Sequence, residues 1–147
     1  MAVYMAGQLI TMTIGRHLVS KAINESSSSI YTSMKSIYYY SKDIDGIVKE
    51  LDIKNKLKTI ECTCEVLNAN KEIPKGIETC LEALHDIILN IKCDLKIINA
   101  KLAKHHKKYF NGWRSLNIKK YINNLKSHCD ILDKRYSLLA NTIVILK

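Results

Sequence analysis

At 147 residues, 47% hydrophobic and 25% charged, the chain has the composition of one globular domain over residues 1–147, which argues against wholesale disorder and against a multi-span membrane protein. Five Gly and one Pro supply too little turn punctuation for a sandwich or a barrel and leave an all-α fold. Lys and Arg number 23 against 14 Asp and Glu, a net charge of +9 that suits an anionic partner.

The first fifteen residues carry no charge before Arg16 and His17. They are fewer than the roughly 20 apolar residues that span a bilayer, and they lack the basic start of a signal peptide. Residues 2–24 read as a helix that is apolar nearly all round. The serine run Ser26–Ser29 that follows reads as a short connector or frayed turn. Beyond it, Ile30, Met34, Ile37, Ile44, Val48 and Leu51 keep heptad steps, with Ser41 filling one slot. A second seam, Ile53, Leu57, Ile60, Cys64 and Leu67, is out of register with the first between Leu51 and Ile53. That mismatch predicts a kink there, or a break around Ser41–Gly46. Tyr38, Tyr39 and Tyr40 are consecutive, so at least one ring must face outward or toward a partner.

The second half is the most regular. Ile77, Leu81, Leu84, Ile88, Ile91, Leu95, Ile98 and Leu102 alternate steps of four and three, the spacing of a helix seam. Pro74 and Gly76 precede it and Asn111-Gly112 can cap it, giving a helix of about 34 residues, roughly 50 Å long. After a short turn through Trp113 and Arg114, Ser115 is a candidate N-cap for a last helix. Its seam reads Ile118, Ile122, Leu125, Cys129, Leu132, Tyr136, Leu139, Ile143 and Leu146. Tyr121, Leu138 and Val144 widen that stripe, so this helix should pack on more than one neighbour. The expected fold is an antiparallel four-helix bundle, its first helix split in two, closing in a long C-terminal helical hairpin.

Charge is the asymmetric feature. Twelve of the basic and three of the acidic residues lie between Lys92 and Arg135, and the remaining eleven of each cancel. The candidate partner-binding residues are therefore Lys104, His105, His106, Lys107, Lys108, Tyr109, Phe110, Trp113, Arg114, Lys119 and Lys120, joined by Tyr38, Tyr39 and Tyr40. Such a patch suits neighbouring proteins or self-assembly, an anionic membrane, or nucleic-acid phosphate. A lysine-rich last turn also complements the helix dipole, and a solvated face would look the same. His105 and His106 would add charge as the pH falls.

No catalytic motif is present: no Gly-rich phosphate loop, no GxSxG, and no Cys-His pair at a shared helical face. The five Cys and five His show no C-x₂-C or H-x₃-H spacing, so neither a metal nor any cofactor is expected. The odd cysteine number points to reduced thiols in a reducing cytoplasm. The expectation is a non-enzymatic interaction protein with no small-molecule substrate. Ile (21), Lys (20) and Asn (11) dominate, and Lys outnumbers Arg 20 to 3. All three have A/T-rich codons, as in an A/T-rich parasite, a protist or one of its large DNA viruses. A host-cytoplasmic or virion-associated protein fits that composition.

The order of elements carries a resemblance. A Gly-containing apolar N-terminal helix and a long third helix lead to a Trp in a tight turn and a final helix, here Trp113-Arg114-Ser115, Lys119-Lys120, Ile122, Leu125, Leu132 and Leu139. This is similar to the four-helix HeLo-type domains, among them the N-terminal bundle of the necroptosis pseudokinase and the coiled-coil domains of plant immune receptors. The resemblance implies a bundle that assembles with copies of itself and whose N-terminal region engages membranes. The chain departs from that pattern in carrying Arg16, His17 and Lys21 in place of acids.

Overall fold

The computed structural model describes residues 2–70, 73–106 and 118–145, with side chains from Leu18 onward. Five helices and no strand occur among them: α1 (Ala2–Tyr40), α2 (Lys42–Glu50), α3 (Ile53–Ala69), α4 (Lys75–His106) and α5 (Lys119–Ile145). α2 and α3 together form one arm of an all-α bundle, and α1, α4 and α5 form the other three.

α1 does not break at the serines. Ser26 and Ser27 are buried inside a continuous 39-residue helix, so the expected connector is corrected to helix interior. Serine favours turns because its hydroxyl competes for backbone groups, but that is a weak preference that tertiary packing overrides. The buried face explains the packing. Ile23, Ile30 and Ile37 are seven residues apart and fully buried, and the buried serines Ser20 and Ser27, and Ser26 and Ser33, repeat at the same interval. Small side chains beside each isoleucine allow close helix contact, as where Ser20 Oγ donates to Asn68 Oδ1 of α3 at 3.4 Å, and among the described residues the α1–α4 and α4–α5 interfaces are the most extensive.

The expected break falls at Ser41. Its N–H donates to Ile37 O at 2.8 Å and closes α1; its backbone is then extended, and its Oγ accepts from Ile44 N–H at 3.2 Å, which caps α2. Asp43 and Asp45 in the first turn of α2 and Lys49 in the last both suit the helix dipole. The register mismatch is resolved at Asp52, whose φ of 55° is left-handed. Its N–H donates to Lys49 O at 3.0 Å and its carbonyl accepts from Lys56 N–H at 3.2 Å, so one residue ends α2 and starts α3. That twist puts Ile44 and Val48 on one side of it, and Ile53 and Leu57 on the other, into the same core.

Each seam residue expected of α3 and α4 is buried. In α5, Ile118, Ile122, Leu125, Cys129, Leu132 and Leu139 are buried, Tyr136 and Ile143 half-buried, and Leu146 lies outside the described residues. The widened stripe is corrected: Leu138 is 58% and Val144 73% exposed, and Tyr121 only half-buried. α5 reaches α3 along its seam, where Ile60, Leu132 and Tyr136 line one hollow, with polar pairs beside it. Lys56 Nζ donates to Asp133 Oδ2 at 3.1 Å, and the Thr63 and Tyr136 hydroxyls meet at 3.1 Å, both joining α3 to α5. Arg135 Nη1 donates to Ala83 O at 2.7 Å across the α4–α5 interface. The caps foreseen at Asn111-Gly112 and Ser115 lie outside the described residues.

Candidate functional site at one end of the bundle

Consecutive arms run antiparallel, so α1 and α4 run parallel and end together. Two candidate groups that are more than sixty residues apart in sequence are thereby joined. The His106 ring lies 5.5 Å from the Tyr40 ring and 6.0 Å from the Tyr39 ring, and Tyr39 and Tyr40 meet edge-on at 5.2 Å. Tyr40 packs against the core, whereas Tyr39 is 74% and Tyr38 50% exposed, so the outward rings expected of the tyrosine run are Tyr38 and Tyr39.

α5 starts at the same end. Tyr121 lies beneath two ammonium groups, Lys101 Nζ at 5.2 Å and Lys120 Nζ at 6.0 Å from its centroid, a cation–π arrangement that fixes the lysine stems. Lys104, His106, Lys119 and Lys120 are exposed and His105 is half-buried. No Asp or Glu occurs in sequence between Asp94 and Asp130. Asp43, in the first turn of α2, is the nearest acid in sequence to the tyrosine run. Lys107, Lys108, Tyr109, Phe110, Trp113 and Arg114 lie outside the described residues.

Two further groupings were not foreseen. Asp94 of α4 is buried and pairs with Nδ1 of His128 on α5. Burial pushes the Asp94 carboxyl above its ordinary range, and the His128 hydrogen bond and charge pull part of the way back. The signal was present in the sequence: Asp94 occupies a slot between Ile91 and Ile98 on an otherwise apolar stripe. The second is a groove of about 310 Å³ lined by Tyr31, Met34, Lys35 and Tyr38 of α1 with Asp45, Lys49 and Lys54. Of the thiols, Cys64, Cys80 and Cys129 are buried and Cys62 and Cys93 exposed. Burial pushes Cys129 up to about 12. Among the described residues no helix is long and apolar enough to cross a membrane, and no three His, Cys, Asp or Glu side chains gather into a metal-ligand group.

The chain is 32% identical to "Uncharacterized protein L717" of Acanthamoeba polyphaga mimivirus over 159 aligned positions, covering 89% of this chain and 77% of that protein. The chain belongs to that protein's family. The large-DNA-virus composition read from Ile, Lys and Asn therefore has its counterpart in a viral relative. No protein-family model and no solved structure matches the chain, so the HeLo-type resemblance gains no support beyond the all-α bundle. The Trp113 turn that carried it lies outside the described residues.

Proposed function

We propose that the protein acts by binding and not by catalysis, as an assembly or virion-associated structural component whose basic, aromatic bundle end contacts neighbouring protein subunits. The observation that carries this reading is that the Tyr39–Tyr40–His106 meeting and the Lys101–Tyr121–Lys120 stack fall at one end of the bundle. Exposed rigid rings offer contact area at low conformational cost, and the ammonium groups of a stretch with no acid between Asp94 and Asp130 favour an acidic face and speed encounter. The relative in a large DNA virus supports a viral setting for this binding role.

The test is a triple variant, Lys104→Gln/Lys119→Gln/Lys120→Gln, alongside Tyr39→Ser. Surface changes of this kind typically alter stability by within about 0.5 kcal/mol each, so the fold should hold. Light scattering after size-exclusion chromatography should show self-association or partner capture in the wild type that both variants lose, with the wild-type interaction weakening as salt rises. Retention on duplex DNA with a slope of log K against log salt of roughly −0.9 per phosphate contact would replace the protein partner with nucleic acid. Retention on anionic vesicles that survives the triple variant but not removal of residues 2–17 would replace it with a membrane.

A further inference from the structure

The groove on α1 is walled by Tyr31 and Met34, which pack partly against the core, and by the exposed Tyr38. Tyr31, Met34 and Tyr38 are spaced i, i+3 and i+7, so they form one stripe of α1 displaced from the fully buried Ile30 and Ile37. The neighbouring Ile30 and Ile37 are fully buried, whereas this stripe is bordered by a rim of lysines from three helices, Lys35, Lys49 and Lys54. Lys49 is already engaged, 3.2 Å from Asp45 and 5.3 Å above the Tyr38 ring. Asp45 is the sole acid of the lining, and it is satisfied by that contact. Lys35 and Lys54 make no ion pair among the described residues, which leaves two ammonium groups facing an apolar, ring-lined hollow. Glu61 lies near the buried Tyr31 hydroxyl but does not line the groove.

Apolar walls with a few convergent charges are the general form of a small-ligand site, and about 310 Å³ falls at the small end of the usual size range. Two unpaired ammonium groups match the charge of a phosphomonoester, close to −2 at neutral pH, and the tyrosine and methionine walls match a flat aromatic body. We infer that this groove binds a nucleoside phosphate, its base against Tyr31, Met34 and Tyr38 and its phosphate between Lys35 and Lys54. The site goes beyond the expectation of no small-molecule substrate, because its lysines come from three helices and are brought together only by the Ser41 and Asp52 turns. It shares Tyr38 with the tyrosine run at the bundle end, but none of its lysines belongs to the basic end.

The same chemistry is offered by a free mononucleotide or by a terminal nucleotide of a single strand. The full chain is titrated with AMP, adenosine, inorganic phosphate and a 5′-phosphorylated oligoadenylate, followed by tyrosine fluorescence and calorimetry. AMP should bind saturably, with Kd on the order of 10–100 µM for a ligand of its size, and adenosine and phosphate alone about tenfold or more weaker. Lys35→Gln/Lys54→Gln should weaken AMP about tenfold while leaving adenosine binding and the thermal midpoint unchanged. The Lys104→Gln/Lys119→Gln/Lys120→Gln variant should bind AMP as wild type, which separates this site from the bundle end. Tighter binding of the oligoadenylate than AMP, lost in the Lys35/Lys54 variant, assigns the strand as source, and equal binding assigns the free nucleotide. Absence of saturable AMP binding up to a few millimolar, or AMP binding unaltered by the Lys35/Lys54 variant, overturns the inference.

Discussion

Removing the His128 imidazole should show how much the α4–α5 interface depends on one buried acid. The Asp94 side chain is 8% exposed and His128 27%, and they are each other's partner across the interface. In His128→Ala the carboxylate stays in place, flanked in sequence by the buried Ile91, Leu95 and Ile98, with its partner gone. Breaking a fully buried pair costs about 3–5 kcal/mol; His128 is reached by water on one side, which places the expected loss at about 2–4 kcal/mol. For a chain of this size that is a fall in thermal midpoint on the order of 5–15 °C. Replacing both groups, Asp94→Leu/His128→Leu, should restore stability to within about 1 kcal/mol of wild type, since two hydrophobic side chains need no desolvated charge. The pH dependence follows from the raised Asp94 value. The folded state holds this proton more tightly than the unfolded chain. The contribution of this group to stability is therefore full below the ordinary carboxylate range and is lost as pH rises through the raised folded value. His128→Ala removes the group that pulls that value back, so its deficit should be large at pH 7 and shrink on acidification, while Asp94→Asn should flatten the profile. Urea unfolding followed by far-ultraviolet circular dichroism at pH 4.5 to 7.5 measures all four proteins. A deficit below about 0.5 kcal/mol for His128→Ala at pH 7, or one that grows as pH falls, would refute the assignment of Asp94 as a buried acid held by His128.

Ile91→Ala or Leu132→Ala, both at fully buried seam positions, should each cost about 2–5 kcal/mol in the same unfolding assay. Gly46 sits mid-helix in α2 with open space where a Cβ would go, so Gly46→Ala should raise stability by about 0.5–1 kcal/mol. Asp52→Gly should be tolerated because Gly adopts the left-handed conformation freely, whereas Asp52→Val should lose about 1–2 kcal/mol. In native protein Cys129, with its thiol pushed up to about 12, should stay unreacted with a disulfide reagent at pH 8 while the exposed Cys62 and Cys93 are consumed, as read by thiol titration and peptide mass mapping.

What was legible in the sequence was periodicity. The α3 and α4 seams could be read position by position because burying an apolar stripe at helical spacing is the dominant favourable term, and few alternatives satisfy it. The serine run was misread because serine's local preference and its small size point opposite ways: as a turn former it suggests a connector, as a small residue it suits a close helix contact. The seven-residue repeat of Ser20 and Ser27 beside Ile23 and Ile30 was the signal that should have decided. Leu138 and Val144 were misread for a related reason. Apolar identity does not ensure a neighbour, and α5 meets α3 through Leu132, Tyr136 and the Lys56–Asp133 and Thr63–Tyr136 pairs, not through Leu138 or Val144.

The site itself was legible in its parts and not in its assembly. Tyr38–Tyr40 and Lys104–His106 stood out separately, one as an aromatic run and one as a basic tip. Their meeting follows from counting reversals: the α2–α3 arm returns the chain once, so α1 and α4 must end on the same side, and only α2's start and α5's start can share that side. That arithmetic holds only if α2 and α3 act as one arm, which the seam mismatch at Leu51–Ile53 left open. The left-handed Asp52 decides it, because it re-phases the buried face without reversing the chain. Had the break at Leu51–Asp52 been a hairpin, α4 would have run against α1 and carried its lysines to the opposite end from the tyrosines. The candidate interface therefore depends on one backbone conformation about fifty or more residues from the lysines it positions.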